Sequence, residues 1–286
     1  MLKRSLAVIG LAVPCLVLPV AAGAYQVDGL MSDWGIQSNF APGPSVKHWT
    51  IEDQFGNSAA YLNPGYGGQR YDAEAIYMDW DATNLYILLI TGLPPTETAY
   101  PAGDFAFDFG QDGTWDFGFT VRNRAGISAA TLYANPTWQY GLWAAPNVLA
   151  ADGQGVNVTA VQSGTIVGHG QVAYPNTPIT GLGDKPRDTH YVIEASIPVD
   201  AFVFGNQDFW GANGPTQKFD LQWTMLCAND LITVDPPVAH VPEPASLLLA
   251  ALGLGGVAFS RRRGACVGKE RSSSAGAAAG IGTSRP

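Results

Sequence analysis

Residues 73–91 read "AEAIYMDWDATNLYILLIT". Two runs rich in aromatic and branched apolar residues, Ala73–Trp80 and Leu85–Thr91, flank the turn-forming tetrapeptide Asp81-Ala82-Thr83-Asn84. Strand-forming runs on both sides of such punctuation predict an antiparallel hairpin. The same grammar recurs outward from it. "DFAFDFG" (104–110) and "WDFGFTVR" (115–122) flank a second turn with Asp112-Gly113 at its tip. "VNVTAVQSGTIVG" (156–168), "HYVIEASIP" (190–198) and "FDLQWTML" (219–226) continue the series. No long stretch holds an apolar face at helical spacing. These signals predict an all-β fold, a single antiparallel β-sandwich of jelly-roll-like type spanning residues 25–240. Asn57–Gln69 and Pro175–Pro186 read as long surface loops, and no internal repeat is found.

The chain has 286 residues and a formal net charge of −9, which conceals an asymmetry. Residues 25–240 contain 22 Asp and Glu against 7 Lys and Arg, a net −15. A domain this acidic repels nucleic-acid phosphates and anionic lipid surfaces, so both are excluded as partners. Of three cysteines only Cys227 falls in this region. It therefore has no internal disulfide partner and reads as a small buried hydrophobe.

The termini differ from the middle. Residues 1–24 combine Lys3 and Arg4, an apolar run Leu6–Val20 and small residues Ala22-Gly23-Ala24, the pattern of a secretory signal peptide cleaved before Tyr25. Residues 241–263 read "VPEPASLLLAALGLGGVAFSRRR". As a helix, Ala245–Phe259 rises about 22 Å against a hydrocarbon core of about 30 Å. It reads as a short transmembrane helix, helped to span by its flanks. Arg261, Arg262 and Arg263 should stay cytoplasmic, which places the acidic middle outside the inner membrane. Residues 264–286, rich in Ser, Ala, Gly and Arg, have the composition of a disordered basic tail.

Pro242-Glu243-Pro244, a short Leu/Gly/Ala-rich span and an arginine cluster, in that order, resemble the PEP-CTERM sorting domain of exosortase substrates, also catalogued as an "ice-binding protein C-terminal" region. The resemblance implies export, a transient membrane anchor, recognition of Pro242, Glu243 and Pro244 by an exosortase, and surface attachment or release. Such proteins accompany exopolysaccharide production in Gram-negative bacteria. No Thr-rich repeated flat face supports ice binding. A second resemblance rests on five ordered blocks: "DGLMSDW" (28–34), "AIYMDWDATNLYILLITG" (75–92), "GDFAFDFGQDGTWDFGF" (103–119), "YVIEASIPVDAF" (191–202) and "LQWTMLCAND" (221–230). Together they resemble the extracellular sandwich of family-nine carbohydrate-binding modules and DOMON-like domains. In this reading the first block closes the N-terminal segment onto the sandwich rather than touching a ligand.

Two constellations could carry chemistry. Asp108, Asp112 and Asp116, with Gly113 and with Asp104 nearby, follow the first, fifth, sixth and ninth positions of a calcium loop. Gly110 stands where a third-position ligand belongs, and Phe119 stands at the twelfth. A Ca²⁺ site and a plain hairpin whose aspartates serve turn geometry are both open readings. Trp138, Tyr140 and Trp143 lie in "NPTWQYGLWAAPN" (135–147), read as an exposed loop and the candidate platform for a sugar ring. Trp80 and Trp223 read as core. Catalysis is not expected. The four histidines lack metal-ligand spacing and there is no Gly-x-Ser-x-Gly elbow. Glu74 and Glu194, the imaginable glycosidase pair, lie on alternating strands where an outward, salt-bridging carboxylate is the simpler role. The expected function is a non-catalytic carbohydrate-binding or matrix-associating module. The alternatives are a purely structural or adhesive surface protein and a glycoside-processing enzyme.

Overall fold

The computed structural model describes residues 25–52, 67–152 and 154–236. The signal segment, most of the 57–69 loop and everything from residue 237 onward lie outside these residues. That excluded portion includes Pro242, Glu243, Pro244, the anchor helix, Arg261, Arg262, Arg263 and the tail. No helix among the described residues is long and apolar enough to cross a membrane.

Among the described residues, eleven strands build two sheets. They are β1 (His48–Ile51), β2 (Ala73–Trp80), β3 (Asn84–Thr91), β4 (Phe105–Phe109), β5 (Phe117–Phe119) and β6 (Thr131–Tyr140). The series continues with β7 (Val158–His169), β8 (Gln171–Ala173), β9 (Tyr191–Pro198), β10 (Phe219–Thr224) and β11 (Leu231–Val234). One sheet runs β1-β2-β3-β9-β8 and the other β11-β10-β4-β5-β6-β7, with every pairing antiparallel. The β2–β3 hairpin sits where the opening stretch predicts, with Trp80 opposite Leu85. Asp81 fixes its turn: Oδ1 accepts the Thr83 and Asn84 N–H groups at 2.7 and 2.8 Å, and Oδ2 accepts the Tyr86 hydroxyl at 2.9 Å.

The sandwich is not a jelly roll. In that topology successive strands alternate between sheets. Here β2–β3, β4–β5–β6–β7 and β10–β11 stay beside their chain neighbours. The short connections at 81–83 and 110–116 leave antiparallel pairing with the next strand as the accessible outcome.

Between the sheets, Ile76, Met78, Leu85, Ile87, Leu89, Ile193 and Ile197 face Phe105, Phe107, Phe109, Phe117, Phe119, Phe219 and Trp223 in one apolar core. Each such side chain removed from water contributes about 1.5–3 kcal/mol. Phe109 stacks on Phe219 with ring centroids 4.6 Å apart. Trp223 is fully buried, whereas Trp80 is half-buried and packs against the core edge. Cys227 is buried and free, and burial pushes its thiol up to about 11, as expected of an inert packing residue.

The first sheet is buried on its other face too. Trp34, Phe40 and Val46 of the N-terminal segment, with Leu182 from the 175–186 loop, cover Ala75, Tyr77, Tyr86, Leu88, Ile90 and Val192. This third layer is why β3 reads as the continuous apolar run "LYILLI" rather than as alternation. It also overturns the outward placement of two carboxylates. Glu74 is 1% exposed and Glu194 0%, and both point into partners instead of solvent. Glu74 Oε1 accepts the Gln69 amide at 2.8 Å and lies 3.1 Å from His190 Nε2.

Candidate functional site

Around the β4–β5 turn, the phenylalanines at 105, 107 and 109 point inward, so Asp104 and Asp108 share the outer face four residues apart, about 13 Å along the strand. Asp104 faces Arg124 at one end. Asp108 is folded under the turn: Oδ1 accepts the Asp112 N–H at 3.1 Å and Oδ2 the Gly113 N–H at 2.8 Å. Asp112 Oδ1 accepts the Thr114 N–H at 2.9 Å, and Asp116 Oδ2 the Phe109 N–H at 2.7 Å. Gly110 and Gly113 take φ of 98° and 86°, left-handed values that glycine adopts without a Cβ penalty. The three aspartates thus hold turn geometry, and no group of three acidic, His or Cys side chains with metal-holding geometry occurs among the described residues. Replacing Asp108 by alanine removes the acceptor of two turn N–H groups. The expected loss is about 1–3 kcal/mol of stability, read as a lower urea midpoint with an unchanged slope.

The aromatic trio is placed differently from the expected exposed loop. Trp138 and Tyr140 belong to β6, and Trp143 to a short ribbon in which Trp143 pairs with Leu149. Trp138 lies against the outer face of the second sheet with Ile127, Tyr133 and Val161. Its ring sits over Gly118, where an added Cβ would meet the ring at 2.7 Å. Trp143 is 8% exposed, and its Nε1 donates to Asn229 Oδ1 at 3.0 Å. Only Tyr140 presents an open surface, at 36% exposure. The reason is the apolar demand of the sheet's outer face, which draws Trp138 down onto the position where β5 has no side chain.

A cleft the sequence did not disclose opens beside the turn. Thr114, Asp116, Phe117, Asn135, Phe204 and Phe209 line a space of about 60 Å³. The Asn135 N–H donates to the Asp116 carbonyl at 2.8 Å, and Asn135 adopts φ 46°, a conformation asparagine tolerates. Phe204 stands at the end of a two-stranded ribbon, Val203–Phe204 against Gln207–Asp208, and is 41% exposed. Burial pushes Asp116 up to about 6, reinforced by the charges of Asp108 and Asp112 and opposed by the Phe109 N–H. No single sequence signal joins these residues, because Asn135 lies 19 positions beyond Asp116 and Phe204 lies 88 beyond it.

Several carboxylates share this upward displacement. Burial, then Asp230, raises Glu52 to about 7, and burial raises Asp104 and Glu194. A carboxyl whose folded value exceeds its unfolded value stabilises the fold at low pH and loses that contribution as pH climbs through the folded value. Asp81 and Glu97 act oppositely. Burial works against them, but hydrogen bonds, from Thr83 and Asn84 in one case and from Ala99 and Arg70 in the other, hold them below the usual range. Their contribution disappears below about pH 4. The melting temperature is therefore expected to peak near about pH 5 and to fall toward about pH 8. A melting temperature that rises steadily across that interval would contradict this balance.

A model of the PEP-CTERM protein-sorting motif matches residues 240–263. The chain carries an exosortase sorting signal. That signal directs export through a membrane-anchored intermediate to the cell surface, with an exosortase as the processing partner. No curated protein matches the chain. No family match supports the likeness of residues 28–230 to family-nine carbohydrate-binding modules or DOMON-like domains.

Proposed function

We propose that the exported sandwich is a non-catalytic carbohydrate-binding or matrix-associating module of the exopolysaccharide layer. The observation that carries this reading is the cleft beside the β4–β5 turn. There Asp116, Asn135 and Thr114 line one space together with Phe117, Phe204 and Phe209, the mixture of residue types with which proteins hold a sugar hydroxyl against an apolar ring face. Delivery to the surface by the sorting signal puts the module where extracellular polymer is found. The acidic surface keeps it soluble there and permits loose association with cations such as Ca²⁺.

Glu194 is unsuited to glycosidase chemistry in this arrangement. Both its oxygens accept hydrogen bonds from Asp28, Gly29 and Trp34, and the group is fully buried. The burial of Trp143 favours the second reading, a structural or adhesive protein without a defined ligand. A panel of immobilised bacterial polysaccharides probed with the full chain in mild detergent separates the two. Saturable retention on at least one glycan, weakened by Phe204→Ala, is the expected result. Absence of retention on every glycan would overturn the module and favour the structural role.

A further inference from the structure

The cleft is small, acidic and aromatic at once, and these three properties together narrow what it can hold. A space of about 60 Å³ is under half of the roughly 150 Å³ cavity that takes a benzene ring. A whole pyranose ring does not enter it, whereas one substituent of a ring does. The walls are Phe117, Phe204 and Phe209, and the polar groups are Asp116, Asn135 and Thr114; no Lys or Arg among the described residues lines it. Asp108 and Asp112 stand close enough for their charges to act on Asp116, and the surrounding domain carries a net −15.

A carboxylate beside an exposed aromatic ring, as Asp116 is beside Phe204, attracts a cation through the ion pair and through the ring quadrupole. A neutral hydroxyl gains only the hydrogen bond, and a uronate is repelled. We propose that the cleft receives the free ammonium group of an amino sugar, so that the module's ligand is a cationic aminoglycan with unacetylated hexosamine units. This inference rests on the carbohydrate-binding reading and names its ligand class. Asp116 pairs with the ammonium, Phe204 and Phe209 flank it, and Asn135 and Thr114 meet the neighbouring hydroxyls of the same ring. The long-range field then complements the short-range site. A polycation is steered to an acidic domain, and the cleft converts that steering into recognition of the amine itself.

The test measures binding of the full chain in mild detergent to four oligosaccharides of equal length, at about pH 6.5, where a hexosamine amine still carries charge. These are a glucosamine oligomer, its fully N-acetylated counterpart, a neutral glucan and a uronate oligomer, with a lysine oligopeptide as an amine lacking sugar. The glucosamine oligomer is expected to bind at least about tenfold more tightly than the others. Asp116→Asn, which keeps an acceptor for the Phe109 N–H, and Phe204→Ala, at an exposed position, should each lose about tenfold of that affinity while the chain still unfolds in one cooperative transition. Equal binding of acetylated or neutral oligomers overturns the ammonium assignment while leaving a carbohydrate module standing. Binding of the glucosamine oligomer that survives both substitutions assigns it to bulk charge and overturns the cleft. Equal binding of the lysine peptide overturns the glycan. Absence of binding to every oligosaccharide overturns the carbohydrate reading itself.

Discussion

Glu194→Ala is expected to lower the stability of the sandwich by about 3–4 kcal/mol, about 10 °C in melting temperature for a domain of this size. Glu194 sits in the middle of β9 with its side chain on the outer face of the first sheet, beneath the N-terminal segment. Oε2 accepts the N–H groups of Asp28 and Gly29, both at 2.9 Å, and Oε1 accepts the Trp34 indole N–H at 2.8 Å. The carboxylate thus fastens both ends of the "DGLMSDW" block to the sheet. Truncation leaves the buried Gly29 and Trp34 donors without partners, and each orphaned donor costs about 1–3 kcal/mol. The Asp28 N–H lies nearer solvent and recovers a water. The loss should be local before it is global. Limited proteolysis of Glu194→Ala is expected to cut within residues 25–46 while the strands remain intact, because Trp34 and Phe40 cover the sheet only while the block is held. Glu194→Gln keeps one acceptor oxygen and should fall between the two. A melting temperature within about 2 °C of the parent would show that packing of Trp34 alone retains the segment.

The same contact shows where the sequence was legible. The hairpin at Asp81 and the turn at Asp112-Gly113 were readable because their signals are local: a turn residue's side chain bonds its own backbone within four positions. The first block's role as a clasp was likewise readable, though its receptor was not. Glu194 is separated from Asp28 by 166 positions, and nothing in a strand alternating "VIEASI" distinguishes a carboxylate facing water from one beneath a third layer. The apolar continuity of "LYILLI" was the available clue. A strand with one face in solvent alternates, and one covered on both faces does not.

The candidate sites were harder for a related reason. Calcium-loop spacing and hairpin-turn spacing draw on the same residues, since aspartate and glycine serve both. What separates them is whether several carboxylate oxygens converge on one point, which is a three-dimensional matter and not one of spacing. Trp138 looked exposed beside Pro136 and Gly141, yet β6 carries it across Gly118, where an absent side chain makes room for an indole. The cleft residues Asn135 and Phe204 gave no signal. An asparagine and a phenylalanine are unremarkable singly; the β5–β6 pairing sets Asn135 against Asp116, and the ribbon at 203–208 brings Phe204 there.

Asp104→Ala is expected to be the most damaging substitution on the second sheet, at about 3–5 kcal/mol. Asp104, 2% exposed, precedes β4 and ties together three parts of the fold. Oδ1 accepts the Val121 N–H at 3.0 Å after β5, and Oδ2 accepts the Val161 N–H at 2.8 Å in β7. Arg124 spans both oxygens and also donates to the Val161 carbonyl at 2.6 Å. Burial raises the Asp104 carboxyl even against this guanidinium, so the pair itself contributes little net stability. The cost of truncation comes from what remains: an uncompensated, mostly buried guanidinium and two backbone donors without acceptors. That distinction is measurable in a double-mutant cycle by urea unfolding. Arg124→Leu alone should cost less than Asp104→Ala, because Asp104 retains its two backbone donors. The double variant should cost clearly less than the sum of the singles, with a coupling of about 2 kcal/mol or more. Strict additivity would mean that Arg124 reaches solvent freely once its partner is gone, and that the anchoring of β4 to β7 rests on the backbone hydrogen bonds alone.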